Sequence, residues 1–390
     1  MNKRTTTPIT IVIISYCAYI FGKNIQNIAT PLILTSHQVE PIWTGIVASM
    51  FYIGLILGSL VTEKIVVHVG PNRSFICLII MTAITALTQI LHLSVLLWSL
   101  LMMCSGFACA GMIILTESYL LGASPLSHRG RILSIYALAA CFSRAVSQQI
   151  LHIPSTEGTL YFVISAACML IALLPVAYRH IQFHPQPHCS GITLKTLWYI
   201  SPLGVITCFI GGFFQGTIGL TLPAFLYDLA LPYADIANIM FMTVFGGALL
   251  QYPLGHLADS QEKTRLMALL GISIILTSIA FNQYAAMHQT SGTLWYGFLL
   301  GGLSICIYPL GINMATSRLT DDKHMASVQG LLLSYSIGAT VGPISLSLLQ
   351  YIHAQYALAW HFGIAASALS LSAILGKKAY HKQNTKLRHV

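Results

Sequence analysis

Charge is what this sequence has least of. Only 7% of its 390 residues are Asp, Glu, Lys or Arg, while 56% are apolar. A soluble domain carries about a quarter charged residues, so too few are present to coat a water-soluble fold, and the mean hydropathy of +0.75 agrees. Soluble globular, disordered and collagen-like classes are excluded. Cys-x-x-Cys pairs are also missing. The nine cysteines (17, 77, 104, 109, 141, 168, 189, 208 and 306) stand singly, mostly inside apolar runs, which indicates neither a disulfide frame nor a zinc site. No Gly-x-x-x-x-Gly-Lys-Ser/Thr run is present, which argues against ATP hydrolysis by this chain. The spans hold no paired carboxylates, metal cluster or nucleophile–base pair, so no enzyme and no cofactor is expected. His180, His184 and His188 have a four-residue rhythm, but Pro185 and Pro187 prevent the helix that would align them on a metal.

What is present is a series of apolar runs. At roughly 20 residues per membrane-crossing helix, the chain accommodates about a dozen. Polar breaks place them near 8–34, 42–66, 74–94, 95–121, 131–153, 158–178, 202–230, 233–257, 265–287, 292–316, 324–350 and 354–376. The faintest break lies at His92-Leu93-Ser94, where no Gly or Pro marks the turn. Lys3-Arg4 and the following apolar run lack a small-x-small cleavage site, so they read as an uncleaved first span. The formal charge of +9 is not gathered into the arm or face of a nucleic-acid binder. Arg73, Arg129, Arg131, Arg179, Lys195, Lys263, Arg265, Arg318, Lys323 and the tail cations all fall on one side, and the opposite loops carry only acids such as Glu40, Glu157 and Asp235. This positive-inside pattern puts both termini in the cytoplasm of a bacterial-type inner membrane protein.

An offset of 192 residues superposes Pro31 on Pro223, Arg73 on Arg265, and the second span on the eighth. The expected fold is an all-α membrane protein of twelve transmembrane helices in two pseudo-symmetric six-helix bundles. Residues 1–178 form the first bundle, 179–200 a linker, 201–376 the second bundle and 377–390 a basic tail. Parallel repeats of this kind imply a central site between halves that rock against each other.

Four short elements then carry a family likeness. Gln251-Tyr252-Pro253-Leu254-Gly255-His256-Leu257-Ala258-Asp259 resembles the Gly-x-x-x-Asp loop motif of the major facilitator superfamily, with Gly255 and Asp259 as its conformational residues. Glu117-Ser118-Tyr119-Leu120 and the Arg129-Gly130-Arg131 run resemble a signature of its sugar- and drug-like branch. Gly338-Ala339-Thr340-Val341-Gly342-Pro343 is similar to its Gly-x-x-x-Gly-Pro element. The resemblance implies a secondary transporter working by alternating access, monomeric and held in a lipid bilayer. Departures weigh against drug/proton antiport. Val67 replaces the acid of the first-half loop, Met102 stands where antiporters carry an Arg before Gly106, and Leu138–Ile150 contains no Gly.

Within the spans, Lys23 and Arg144 lie about halfway along the first and fifth. A cation at the bilayer centre costs roughly 2.5–3.5 kcal/mol on insertion scales, so each should face a cavity and have a partner. Tyr16, Tyr19, Lys23, Asn27 and Thr30 recur at helical spacing, as do Cys141, Arg144, Gln148 and His152. In the first half, Glu117 is the most plausible internal counter-ion and the one candidate there to carry a coupling proton. At the offset of 192, Lys23 maps to Gln215 and Arg144 to Ser336; Gln215, Asn238, Gln251, Tyr308, Asn313 and Tyr335 are the second-half candidates. Two readings stand: Lys23, Asn27, Arg144, Gln148, Gln215 and Tyr308 bind a small organic anion or zwitterion, or Arg144 pairs with Glu117 and Lys23 with backbone carbonyls as structure. Efflux of amphipathic drugs by proton antiport is the competing function.

Overall fold

The computed structural model describes the backbone of residues 3–124, 128–153, 155, 158–178, 194–260, 262–316 and 321–387, and among these no strand occurs. The first four spans are single helices: α1 (Lys3–Ser36), α2 (Pro41–Val69), α3 (Pro71–Leu91) and α4 (Val95–Ala123). The faint break thus holds as a three-residue turn, closed by the Trp98 indole donating to the His92 carbonyl at 3.0 Å. The fifth span is α5 (Arg129–Ser147), which tightens into a 3-10 turn over Gln148–His152. The sixth is α6 (Thr159–Ile171) with α7 (Leu173–Tyr178). A short helix, α8 (Leu194–Ile200), precedes the seventh span, α9 (Pro202–Leu220) with α10 (Leu222–Asp228). Then come α11 (Tyr233–Ser260), α12 (Lys263–Ala286), α13 (Thr290–Ile305) with α14 (Ile307–Thr316), α15 (Asp321–His353) and α16 (Ala357–Leu387). With each proline-broken pair taken as one rod, the described residues form twelve long helical rods and the short α8. Nine described stretches are long and apolar enough to cross a membrane, the last of them running through both α15 and α16.

Three spans expected to be continuous are interrupted, and proline explains each. The breaks at Ala172, Thr221 and Cys306 lie two or three residues before Pro175, Pro223 and Pro309. Proline has no N–H to give the carbonyl four residues back, and its ring crowds that carbonyl. At Pro309 the deprived carbonyl belongs to Ile305, which accepts instead from the Gln215 side chain at 3.4 Å. Two further expectations are corrected. The Gly255–Asp259 segment is not a loop: α11 continues through it to Ser260, despite Pro253. The last helix also does not stop at 376 but runs to Leu387.

By packing, residues form two compact units, one of Met1–His188 with Gly219–Phe241, the other of Cys189–Ile218 with Met242–Val390. In the first unit Gly54 of α2 faces the Met103 carbonyl of α4, and Gly106 of α4 faces the Phe51 carbonyl of α2, so a Cβ at either would overlap backbone. The second unit repeats the device with Gly246 against Phe298 and Gly301 against Thr243; Gly54 and Phe51 map to Gly246 and Thr243 at the same offset of 192. Gly338 and Gly342 likewise admit the carbonyls of Phe209 and Phe213, as the Gly-x-x-x-Gly-Pro element led us to expect. Lipid tails are as apolar as leucine, so close backbone contact rather than water exclusion holds such helices together. The outward faces carry large apolar side chains such as Leu60, Ile84, Leu100 and Phe142, which suit hydrocarbon and not water.

Gly106→Ala should destabilise the protein by about 1–3 kcal/mol through overpacking. Gly255→Ala, where a Cβ meets nothing within 4 Å, should leave stability unchanged or raise it by up to about 1 kcal/mol. Melting temperatures of both variants in detergent check the contrast.

Candidate solute-binding site

The polar stripe of α1 points into the first unit. Tyr16, Tyr19, Lys23 and Thr30 are all buried, with Lys23 only 2% exposed. The Lys23 ammonium donates to the Asn27 side-chain oxygen and sits 4.3 Å from the centroid of the Phe51 ring on α2. Its partners are thus a neutral amide and a π face, not the backbone carbonyls of the structural reading. Among the described residues no carboxylate stands with it.

The neighbouring Asn24 fastens this stripe to α5. Its amide donates to Ser147 Oγ at 2.7 Å and to the Arg144 carbonyl at 3.2 Å, at the level where Arg144 and Gln148 leave the helix. Arg144 is exposed on that turn. The Asn24 bond to the Arg144 backbone brings the two cations named from sequence to the same level of α1 and α5. Gln148 is 2% exposed, and its amide oxygen has no hydrogen-bond partner among the described residues. A buried acceptor left open in this way calls for a donor.

Glu117, further along α4, is hydrogen-bonded to the Tyr136 hydroxyl. Tyr136 in turn contacts Tyr16, ring centroids 4.9 Å apart, and Tyr19 reaches Thr82 at 3.3 Å. A carboxylate and three phenols therefore cluster where α1, α4 and α5 pack together. Beside it, Gln26 organises a network that sequence reading missed. Its amide donates to Gln89 at 2.7 Å and Thr85 at 3.3 Å, and its oxygen accepts from Ser105 at 2.8 Å. Gln89 then donates to Thr30 at 3.1 Å.

In the second unit, three expected residues meet. The Tyr335 hydroxyl donates to Gln215 at 2.9 Å, and the Tyr308 and Tyr335 rings lie 4.5 Å apart. Asn313 accepts from Lys263 at 2.6 Å, which makes it a helix-end contact, and Gln251 is exposed. Asn238, which packs with the first unit, is 3.2 Å from the His152 ring. His361 was not anticipated. It is fully buried in α16, bonded to Thr217 at 2.8 Å and Ser345 at 3.0 Å, and stacked on Phe213 at 4.3 Å. A lone histidine within the apolar run of the last span was the available signal.

Among the basic-loop residues, Arg129 reaches the Ser124 carbonyl at 3.4 Å and Arg131 is exposed. Asp259 lies on the last turn of α11, its side chain outside the described residues; His180, His184 and His188 fall outside the described residues altogether. No group of three or more His, Cys, Asp or Glu able to hold a metal occurs among the described residues.

Twelve apolar rods with paired glycine contacts and charged groups buried in their interior define a polytopic membrane carrier. The Major Facilitator Superfamily model matches residues 12–343 and again 204–387, and the chain belongs to that family. It is 27% identical over 381 residues to an uncharacterized MFS-type transporter of Yersinia pestis, covering 96% of this chain and 97% of the relative. The MFS-type transporter YcaD of Escherichia fergusonii, also uncharacterized, is 26% identical over 363 residues, 92% and 93% of the two chains. Among solved structures, nucleoside transporter NupG matches with a TM-score of 0.72 at 13% identity over 97% of this chain and 99% of that one. A D-xylose-proton symporter matches with 0.71 at 12% identity, over 94% and 97%. These likenesses share the fold. The protein is a multi-pass membrane transporter of small-molecule solutes and not an enzyme.

Gln26→Leu should lower stability more than Ser105→Ala does. The first leaves Ser105, Gln89 and Thr85 without Gln26, at about 1–3 kcal/mol for each group that finds no other partner; the second removes a single donor. Thermal melts of the two variants in detergent measure the difference.

Proposed function

We propose that this transporter carries a small organic anion or zwitterion by alternating access, with Lys23 and Arg144 as its cationic anchors. The observation that carries the reading is the Lys23 ammonium, buried beside a neutral amide and an aromatic ring with no carboxylate for company. A buried charge without a counter-ion is costly, and a solute carboxylate or phosphate supplies one. The Asn24 contacts that tie α1 beside Lys23 to α5 at Arg144 support a two-cation anchor. The open acceptor on Gln148 suits an ammonium or hydroxyl of the same solute, which favours zwitterions and hydroxylated acids. Glu117, held by Tyr136, is the candidate for a coupling proton, with both termini in the cytoplasm.

Melting temperature against a panel of carboxylates, phosphates, amino acids, sugars and cationic drugs tests the substrate class. A ligand at 100 times its Kd stabilises the folded form by about 2.7 kcal/mol. Anions or amino acids should raise the melting temperature of the wild type and lose that effect in Arg144→Gln. Stabilisation by cationic drugs that survives Arg144→Gln would sink the reading and bring drug efflux forward. Coupling is tested separately in proteoliposomes. Glu117→Gln should abolish accumulation driven by a proton gradient while sparing exchange of labelled solute; unchanged accumulation would remove Glu117 from the coupling role.

A further inference from the structure

A cleft of about 510 Å3 opens on the second unit, lined by none of the groups just described, with Lys195, Trp198, Val205, Ile206, Phe209 and Ile337 on its walls. It is framed by α8, the first turns of α9 and the middle of α15. The α8 helix is fixed there by Leu197, which is fully buried and clusters with Val205, Cys208, Ala315 and Leu331. The rest of α8 faces outward: Trp198 is 50% and Tyr199 78% exposed, and Lys195 is exposed as well. A Lys, a Trp and a Tyr on a short helix at the mouth of a membrane span are the composition of an interfacial segment, aromatic rings at headgroup depth and the cation above them.

The cleft runs inward from that level. Phe209 lies seven residues past Pro202, about 10 Å along the helix axis, so the inner wall is at hydrocarbon depth. Its polar wall group, Ser334, already donates to the Val205 carbonyl at 2.9 Å. Nothing polar is left inside to orient a soluble solute, which a transport site requires. Ile337, 38% exposed, keeps the flank open toward the bilayer. An apolar slot reached from hydrocarbon, with one cation at its mouth on the side of the basic loops, matches a lipid in shape and in charge.

We infer that this cleft seats one acyl chain of an anionic glycerophospholipid, with the headgroup phosphate held at Lys195. Anionic headgroups gain roughly 1 kcal/mol per nearby lysine, about fivefold in affinity. The occupied cleft would couple the lipid to α8, and through Leu197 to α9, α14 and α15.

The test uses the full-length purified protein and fluorescence quenching by lipids with brominated acyl chains, the Trp198 signal being obtained by difference from Trp198→Phe. Phosphatidylglycerol should quench Trp198 at about one-fifth the mole fraction that phosphatidylcholine needs. Lys195→Gln, at an exposed position, should erase that preference and leave the melting temperature in phosphatidylcholine unchanged. Ile337→Phe, which fills the cleft, should reduce quenching by both lipids, and soluble glycerol 3-phosphate should not compete. Equal quenching by the two lipids in the wild type, or a preference that persists in Lys195→Gln, overturns the headgroup assignment. Trp198 that no brominated lipid quenches overturns the acyl-chain site. Competition by glycerol 3-phosphate identifies a free-phosphate site and also overturns it.

Discussion

Inside a bilayer no water is available to take up an unpaired N–H or C=O, and each such group costs several kcal/mol if left alone. Much of this molecule is arranged around that condition. It forces every described membrane-depth segment into helix, and it makes each proline a local problem. The carbonyl of Ile305, deprived of its partner by Pro309, shows one solution: a glutamine from a neighbouring helix is recruited to it. The same requirement accounts for the closed network of Gln26, Gln89, Thr85, Thr30 and Ser105, which gives these five side chains polar partners inside the first unit.

Because satisfaction is the rule, departures from it carry information. Lys23 is bonded, yet to neutral partners, and Gln148 holds an acceptor with none. Both lie near the Asn24 contacts that join α1 to α5. The corresponding second-unit position, Gln215, is by contrast fully engaged by Tyr335 and Ile305. Transport between two conformations needs groups whose partners can change. On the function proposed above the first unit supplies them; the second, in this region, is dominated by ring stacking and a fully bonded histidine.

Helix association rests on a different term from helix formation. Hydrocarbon gives little reward for burying leucine against leucine, so contact energy comes from backbones brought close enough for dispersion to accumulate. The glycines of α2, α4, α11 and α13 do this at equivalent points of the repeat. A duplicated ancestral unit would preserve such contacts because any side chain there collides with main chain, whereas the lining of a site is free to diverge, as Lys23 and Gln215 have.

Much of the fold was legible in the residues alone. Hydropathy and charge are local properties summed over about 20 residues, so the twelve apolar runs, the basic side and the repeat could be read without neighbours. The cations of the site were legible for the same reason, since a Lys or Arg inside an apolar run is conspicuous wherever the helix turns. Partner choice was not. Whether Glu117 meets Arg144 or Tyr136 depends on how α4 and α5 are rotated, which no single run encodes. Asn24 with Ser147, Gln26 with Gln89, and Thr217 with His361 join positions 123, 63 and 144 residues apart. The helix breaks fall between the two cases. Pro175, Pro223 and Pro309 announce them, yet Pro31 and Pro343 sit inside unbroken helices, and only the surrounding contacts decide which proline interrupts its span.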